Sequence, residues 1–153
     1  MATEGVVYIS YVDAVWIHIE LMRVLGEDRF GVFDRTLVES ALARPQQSAN
    51  YDGADLIAQA ATLLYGMIRN HPWVGGNKRT ATALTQAFLR RNGLRIIAGR
   101  DELVELVLTV EAGVWHLSEI ESWLRQHTRN SPLPLGVEQD ASVEISGGLP
   151  PDL

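Results

Sequence analysis

Apolar positions along the chain recur at helical rather than strand spacing. Between Tyr11 and Leu25, the residues Val12, Val15, Trp16, Ile19, Met22 and Val24 fall close to the helical period, with Ser10 placed to cap the segment and Gly26 to stop it. Asp34 opens a short helix over 35–44 that turns Leu37, Val38, Ala41 and Leu42 inward. Pro45 is expected to close it, because proline lacks the amide that a helix interior uses. Residues 46–53 are small and polar with neither period, and read as an exposed loop.

From 54 to 70 the chain is apolar on most of its circumference, through Leu56, Ile57, Ala60, Ala61, Leu63, Leu64, Met67 and Ile68. That pattern belongs to a helix in the middle of a bundle. Asn70-His71-Pro72 ends it, since the residue ahead of a proline is driven out of the α region. Gly75-Gly76 makes a turn, and a further helix over 77–92 buries Ala81, Leu84 and Phe88, with Gly93 just past its end. Leu94 to Ala98 reads as a short extended link. Leu103, Leu106, Val107 and Val110 mark one face of a helix over 102–112, and Ser118 with Glu121 reads as a capping box for a last helix to about His127. Beyond Thr128, four prolines and three glycines erase any period, so 129–153 is expected as a poorly structured tail on a domain of residues 1–128. The expected fold class is all-α, a compact bundle of about six helices.

Composition narrows the partners. The 153 residues suit one domain, and the absence of cysteine excludes disulfides and thiolate metal sites. No apolar run approaches the roughly 20 residues of a membrane span, and no basic stretch precedes an apolar one at the start. The expectation is a soluble, cytoplasmic protein with no membrane partner. A net charge of -6 argues against a specific nucleic-acid partner, which would call for a surplus of Lys and Arg. Its distribution is uneven. Between Leu56 and Arg100 there is no Asp or Glu, while Arg69, Lys78, Arg79, Arg90, Arg91, Arg95 and Arg100 are all cationic. A cationic middle inside an acidic chain points to a local anion site rather than a basic coat, although Arg90 and Arg91 also suit an ordinary solvated helix face.

The candidate chemistry falls in the same stretch, His71-Pro-Trp-Val-Gly-Gly-Asn-Lys-Arg79. Gly75 and Gly76 let the backbone approach a ligand, and the helix beginning beside them leaves amides without intrahelical partners. Those amides and the helix dipole favour an anion, with Asn77 as a side-chain donor and Lys78 and Arg79 as cations. Two cations at a helix start cost on the order of 0.3 to 1 kcal/mol each unless an anion offsets them. His71 lies just ahead of this bowl, placed to act as a general base, and Trp73 is expected to pack inward and steady the loop. His18, His116 and His127 show no metal-ligand spacing.

These residues resemble the signature of the Fic/Doc (Fido) superfamily, and Lys78 ahead of Arg79 resembles its Doc, or death-on-curing, branch. The likeness runs over about residues 8–127, including Leu37-Val-Glu-Ser-Ala-Leu-Ala-Arg-Pro45, Asn92-Gly-Leu94 and Asp101-Glu-Leu-Val-Glu-Leu-Val107. The resemblance implies a compact helical fold in which His71 deprotonates a target hydroxyl, while Gly75, Gly76, Asn77, Lys78 and Arg79 form the nucleotide-phosphate site. It implies ATP or another nucleoside triphosphate as co-substrate. Its expected function is that of a toxin-like phosphotransferase acting on a protein hydroxyl, in the Doc branch a threonine of elongation factor Tu, with a small antitoxin as partner. Thr82, where AMP-transferring members tend to carry a second arginine, points the same way. The chain shows no internal inhibitory Ser/Thr-x-x-x-Glu-Gly/Asn motif, so inhibition is expected from outside.

One position departs from the family. Gly75 stands where the family usually has an acidic residue that holds Mg²⁺ against the phosphates, and phosphoryl transfer leans on such charge. Asp34, Glu39, Asp55 and Asp101 are the acids expected as substitutes if folding brings one near. The departure keeps open a degenerate member that binds nucleotide or a partner without turnover. An AMP-transferring enzyme and a helix-turn-helix DNA binder built on the basic segment 77–95 are the other readings.

Overall fold

The computed structural model of the protein describes residues 4–131. Six helices follow in order: α1 (Tyr11–Leu25), α2 (Arg35–Asp52), α3 (Leu56–Asn70), α4 (Asn77–Arg91), α5 (Arg100–Glu111) and α6 (Leu117–His127). The fold is mostly helical, as the apolar pattern predicts. Its extended part is a two-stranded antiparallel sheet, β1 (Leu94–Ile96) against β2 (Thr128–Asn130), with Leu94 opposite Asn130. The link expected over 94–98 therefore gains a partner from the first residues of the segment read as a tail. From residue 132 onward that tail, including the acidic residues Glu138, Asp140 and Glu144, lies outside the described residues.

Helix α3 is the hub and packs on α2, α4, α5 and α6. Leu63, Leu64 and Met67 are at most 2% exposed, and burying each stabilises the fold by about 1.5 to 3 kcal/mol. Its start is capped by Asp55, whose carboxylate accepts the Ala58 amide at 3.0 Å. The caps read for α1 are in place: Ser10 accepts the Asp13 amide, and Gly26 takes the left-handed conformation. Gly93 lies at φ 82° after α4, where that helix closes.

Two local expectations are corrected. Pro45 does not end α2, and the loop expected over 46–53 is mostly helix, closed by left-handed Gly53. Val38, Ala41, Pro45 and Ala49 form one buried stripe against α3, so packing on both sides of the proline outweighs the roughly 3 kcal/mol it costs inside a helix. Ser118 does not cap α6 either. The helix starts at Leu117 with His116 as N-cap, and the Ser118 hydroxyl bonds to Glu119 while Glu121 pairs with Arg125. A back-bonding glutamate of the capping-box kind occurs instead at α5, where Glu102 accepts the Gly99 amide at 3.2 Å.

Candidate active site

Helix α3 terminates on His71, which turns left-handed at φ 50°, ψ 53° and returns its amide to the Met67 carbonyl. It is the one non-glycine residue at positive φ among the described residues, a conformation that costs on the order of 1 kcal/mol. The following residues hold it. The Pro72 carbonyl accepts the amides of Phe33 at 2.9 Å and Asp34 at 3.1 Å, the Val74 amide donates to the Gly31 carbonyl at 2.9 Å, and Val32 bridges Trp73. The connection between α1 and α2 thus runs antiparallel along the loop after α3 and clamps it.

Beneath that loop, Trp73 is buried as expected, and its ring stacks on His18 at 4.2 Å between centroids. The His18 Nε2 accepts the Gly31 amide at 2.9 Å, so the ring proton sits on Nδ1, which donates to the Thr80 hydroxyl at 2.8 Å. Burial pushes the His18 pKa down to about 4 and keeps this imidazole neutral. One ring thereby ties α1, the connecting loop and α4 together. Sequence spacing gave His18 no role, because its three partners come from three separate segments.

Asn77 departs from its expected use. Its Oδ1 accepts the Trp73 amide and its Nδ2 donates to the Trp73 carbonyl, both at 2.9 Å, and the residue is buried. The side chain is a clamp that closes the loop onto α4 rather than a ligand arm. Gly76, at φ 66°, forms the N-cap of α4 without any side-chain cap, and a Cβ there would meet Met22 Cε at 2.5 Å. Its carbonyl accepts the Thr80 amide at 2.8 Å. Asn77 and Lys78 precede that first bond, in the turn whose amides have no acceptor one turn back.

A cavity of about 340 Å³ opens at this helix start and is lined by Glu27, Arg29, His71, Val74, Gly75, Gly76, Asn77, Lys78 and Arg79. All six residues expected at the site meet there. The cations, however, are not waiting on a ligand for their charge balance. Lys78 Nζ lies 3.2 Å from Glu111 on α5, and Arg79 lies 3.8 Å from Glu27, so carboxylates of the protein offset the cost of cations at the helix start. That cost alone does not require a phosphate. What favours an anion is the geometry: a concave wall of glycine backbone, open amides and cationic side chains facing an exposed imidazole. Arg91, by contrast, lies outside the cavity lining and pairs with Asp13 at 3.0 Å, its side chain largely covered rather than on the solvated helix face expected of it.

None of the four acids named as substitutes for a metal ligand lines the cavity. Asp34 caps α2 by accepting the Leu37 amide, Asp55 caps α3 and pairs with Arg125, Glu39 pairs with Arg35, and Asp101 belongs to a separate groove along α5. Glu27, the carboxylate that does line it, is already engaged by Arg79. A Cβ at Gly75 would stand 2.4 Å from the Arg29 carbonyl oxygen, so the space an acid needs is filled by backbone. Among the described residues no group of three or more His, Cys, Asp or Glu is placed to hold a metal ion. The cavity therefore does not fit Mg²⁺ held from position 75. No described helix is long and apolar enough to cross a membrane.

A profile of the Fic/DOC family matches residues 8–89, from just before α1 into the last turn of α4. Toxin Doc of Mycolicibacterium smegmatis is 45% identical over 74 residues, which cover 46% of this chain and 55% of that protein. Protein kinase doc of Escherichia phage P1 is 32% identical over 97 residues, covering 63% of this chain and 76% of that one. The match thus spans about half the length of the mycobacterial relative and about three quarters of the phage one.

Proposed function

The chain belongs to the Fic/DOC family, in its Doc branch, and on that premise we propose that it is a toxin-type phosphotransferase. In this reading the cavity binds the phosphates of a nucleoside triphosphate, ATP or another, against the amides at the start of α4 and the guanidinium of Arg79. His71 accepts the proton of a protein hydroxyl as that oxygen attacks the terminal phosphorus. The bond to the leaving diphosphate breaks, and the phosphate passes to the protein. The observation that carries the reading is that one cavity joins the exposed imidazole to the glycine wall and the cationic helix start. Positioning is a large share of such catalysis, and the left-handed turn at His71, which lines the cavity, supports the reading.

Support for phosphate rather than AMP transfer comes from Lys78 and Thr82. Thr82, where a second arginine would favour AMP transfer, is buried and donates to the Lys78 carbonyl at 2.9 Å. A threonine of elongation factor Tu and a small antitoxin remain the proposed target and partner, on the strength of the Doc likeness. The test incubates the protein and elongation factor Tu with ATP labelled at either the γ- or the α-phosphorus. We expect transfer of the γ-label and loss of transfer in His71→Ala. Equal labelling by His71→Ala removes the base, and transfer of the α-label makes the protein an AMP transferase. A second reading, binding without turnover, is favoured by the closed space over Gly75. It predicts bound nucleotide and no labelled product.

A further inference from the structure

We infer that Arg29 replaces the divalent cation of this site, so that the cavity takes a triphosphate without Mg²⁺. The inference rests on the phosphate-binding reading above and names what stands in for its missing acid. At position 75 the lost carboxylate has not left a gap. The Arg29 carbonyl oxygen lies 2.4 Å, and its Cβ 3.1 Å, from where a side chain at 75 would begin. The exchange is reciprocal: glycine at 75 is what lets the Arg29 backbone lie against the loop, and that places an arginine on the cavity wall in place of an acid.

Arg29 is held there by more than that contact. Just after it, the Gly31 amide donates to His18 and the Gly31 carbonyl accepts the Val74 amide, while Phe33 and Asp34 both donate to Pro72. The backbone that carries Arg29 is therefore fixed relative to His71 and Gly76. Its side chain differs from the other two cations of the cavity. Lys78 faces Glu111 and Arg79 faces Glu27, but Arg29 has no ion-pair partner among the described residues and is exposed. A guanidinium presents a planar fork of N–H donors that grips two phosphate oxygens at once and stays charged throughout the working pH range. Its long stem lets that fork swing across a cavity of this size. An acid at 75 would recruit a metal to meet the phosphate charge; an arginine at 29 meets it directly.

Calorimetric titration of the full chain with inorganic tripolyphosphate and with ATP, each in excess Mg²⁺ and in EDTA, tests this. We expect both probes to bind in EDTA at least as tightly as in Mg²⁺. Arg29→Ala, whose backbone contact with Gly75 is unchanged, should weaken binding in EDTA by about tenfold or more, and Arg29→Lys should recover part of it. Binding that appears only with Mg²⁺, or Arg29→Ala binding as the unaltered chain does, overturns the inference and leaves the phosphate site standing. No binding of either probe in either condition overturns the phosphate site and the inference with it.

Discussion

Acidification should weaken this protein through one buried imidazole, and the size of the effect follows from its surroundings. His18 is 0% exposed, stacks on Trp73, and titrates at about 4 against an ordinary 6.5 because burial disfavours the charged ring. The folded state therefore holds off a proton that the unfolded chain accepts. His18 contributes its full stability above pH 6.5, and that contribution is lost as pH falls from 6.5 towards 4. The separation of the two values corresponds to roughly 3 kcal/mol, of which about 2.5 kcal/mol should be gone by pH 4.5. Urea unfolding of the protein and of His18→Gln at pH 7 and pH 4.5 isolates the effect, because the carboxylates shared by both chains cancel in the difference. Glutamine keeps one donor and one acceptor near Thr80 and Gly31 but does not titrate. The unaltered protein should be the more stable at pH 7, and its advantage should shrink by about 2 kcal/mol or more at pH 4.5. An advantage that is the same at both pH values would refute the argument that this ring is held neutral by burial.

Two further substitutions probe the loop. Asn77→Ala removes both bonds to the Trp73 backbone and leaves a buried amide and carbonyl unmet, so stability should fall by about 2 to 4 kcal/mol in denaturant unfolding. A loss within error would show that the loop holds itself without the clamp. Gly75→Asp, which restores the family's acid, should cost about 1 to 3 kcal/mol of stability through the clash with Arg29, seen as a lower thermal midpoint, and should not confer metal-dependent phosphate binding. A variant as stable as the parent that gains Mg²⁺-dependent binding would show that the 27–31 connection moves aside freely.

The sequence by itself determined what depends on neighbours within a turn or two. The apolar circumference of α3, the caps at Ser10 and Gly26, the stop at Gly93 and the break at His71-Pro72 are all local, because helix period and terminal hydrogen bonds involve residues a few positions apart. For the same reason the nine-residue motif was legible as one unit, and the folded cavity gathers His71, Gly75, Gly76, Asn77, Lys78 and Arg79 as the sequence implies.

Only the tertiary structure decided what depends on which segments meet. Pro45 stays inside α2 because α3 buries it, a gain invisible to local propensity. Sequence position offers the Asn77 amide as a ligand donor, but the folded loop claims it, and Lys78 meets Glu111 far along the chain. Glu27 and Arg29 entered the cavity without any spacing signal, and His18 became a strut between three elements. A side chain's polar atoms bond to whatever the fold sets within about 3 Å of them, and that choice is made by packing over long sequence distances rather than by any period in the chain.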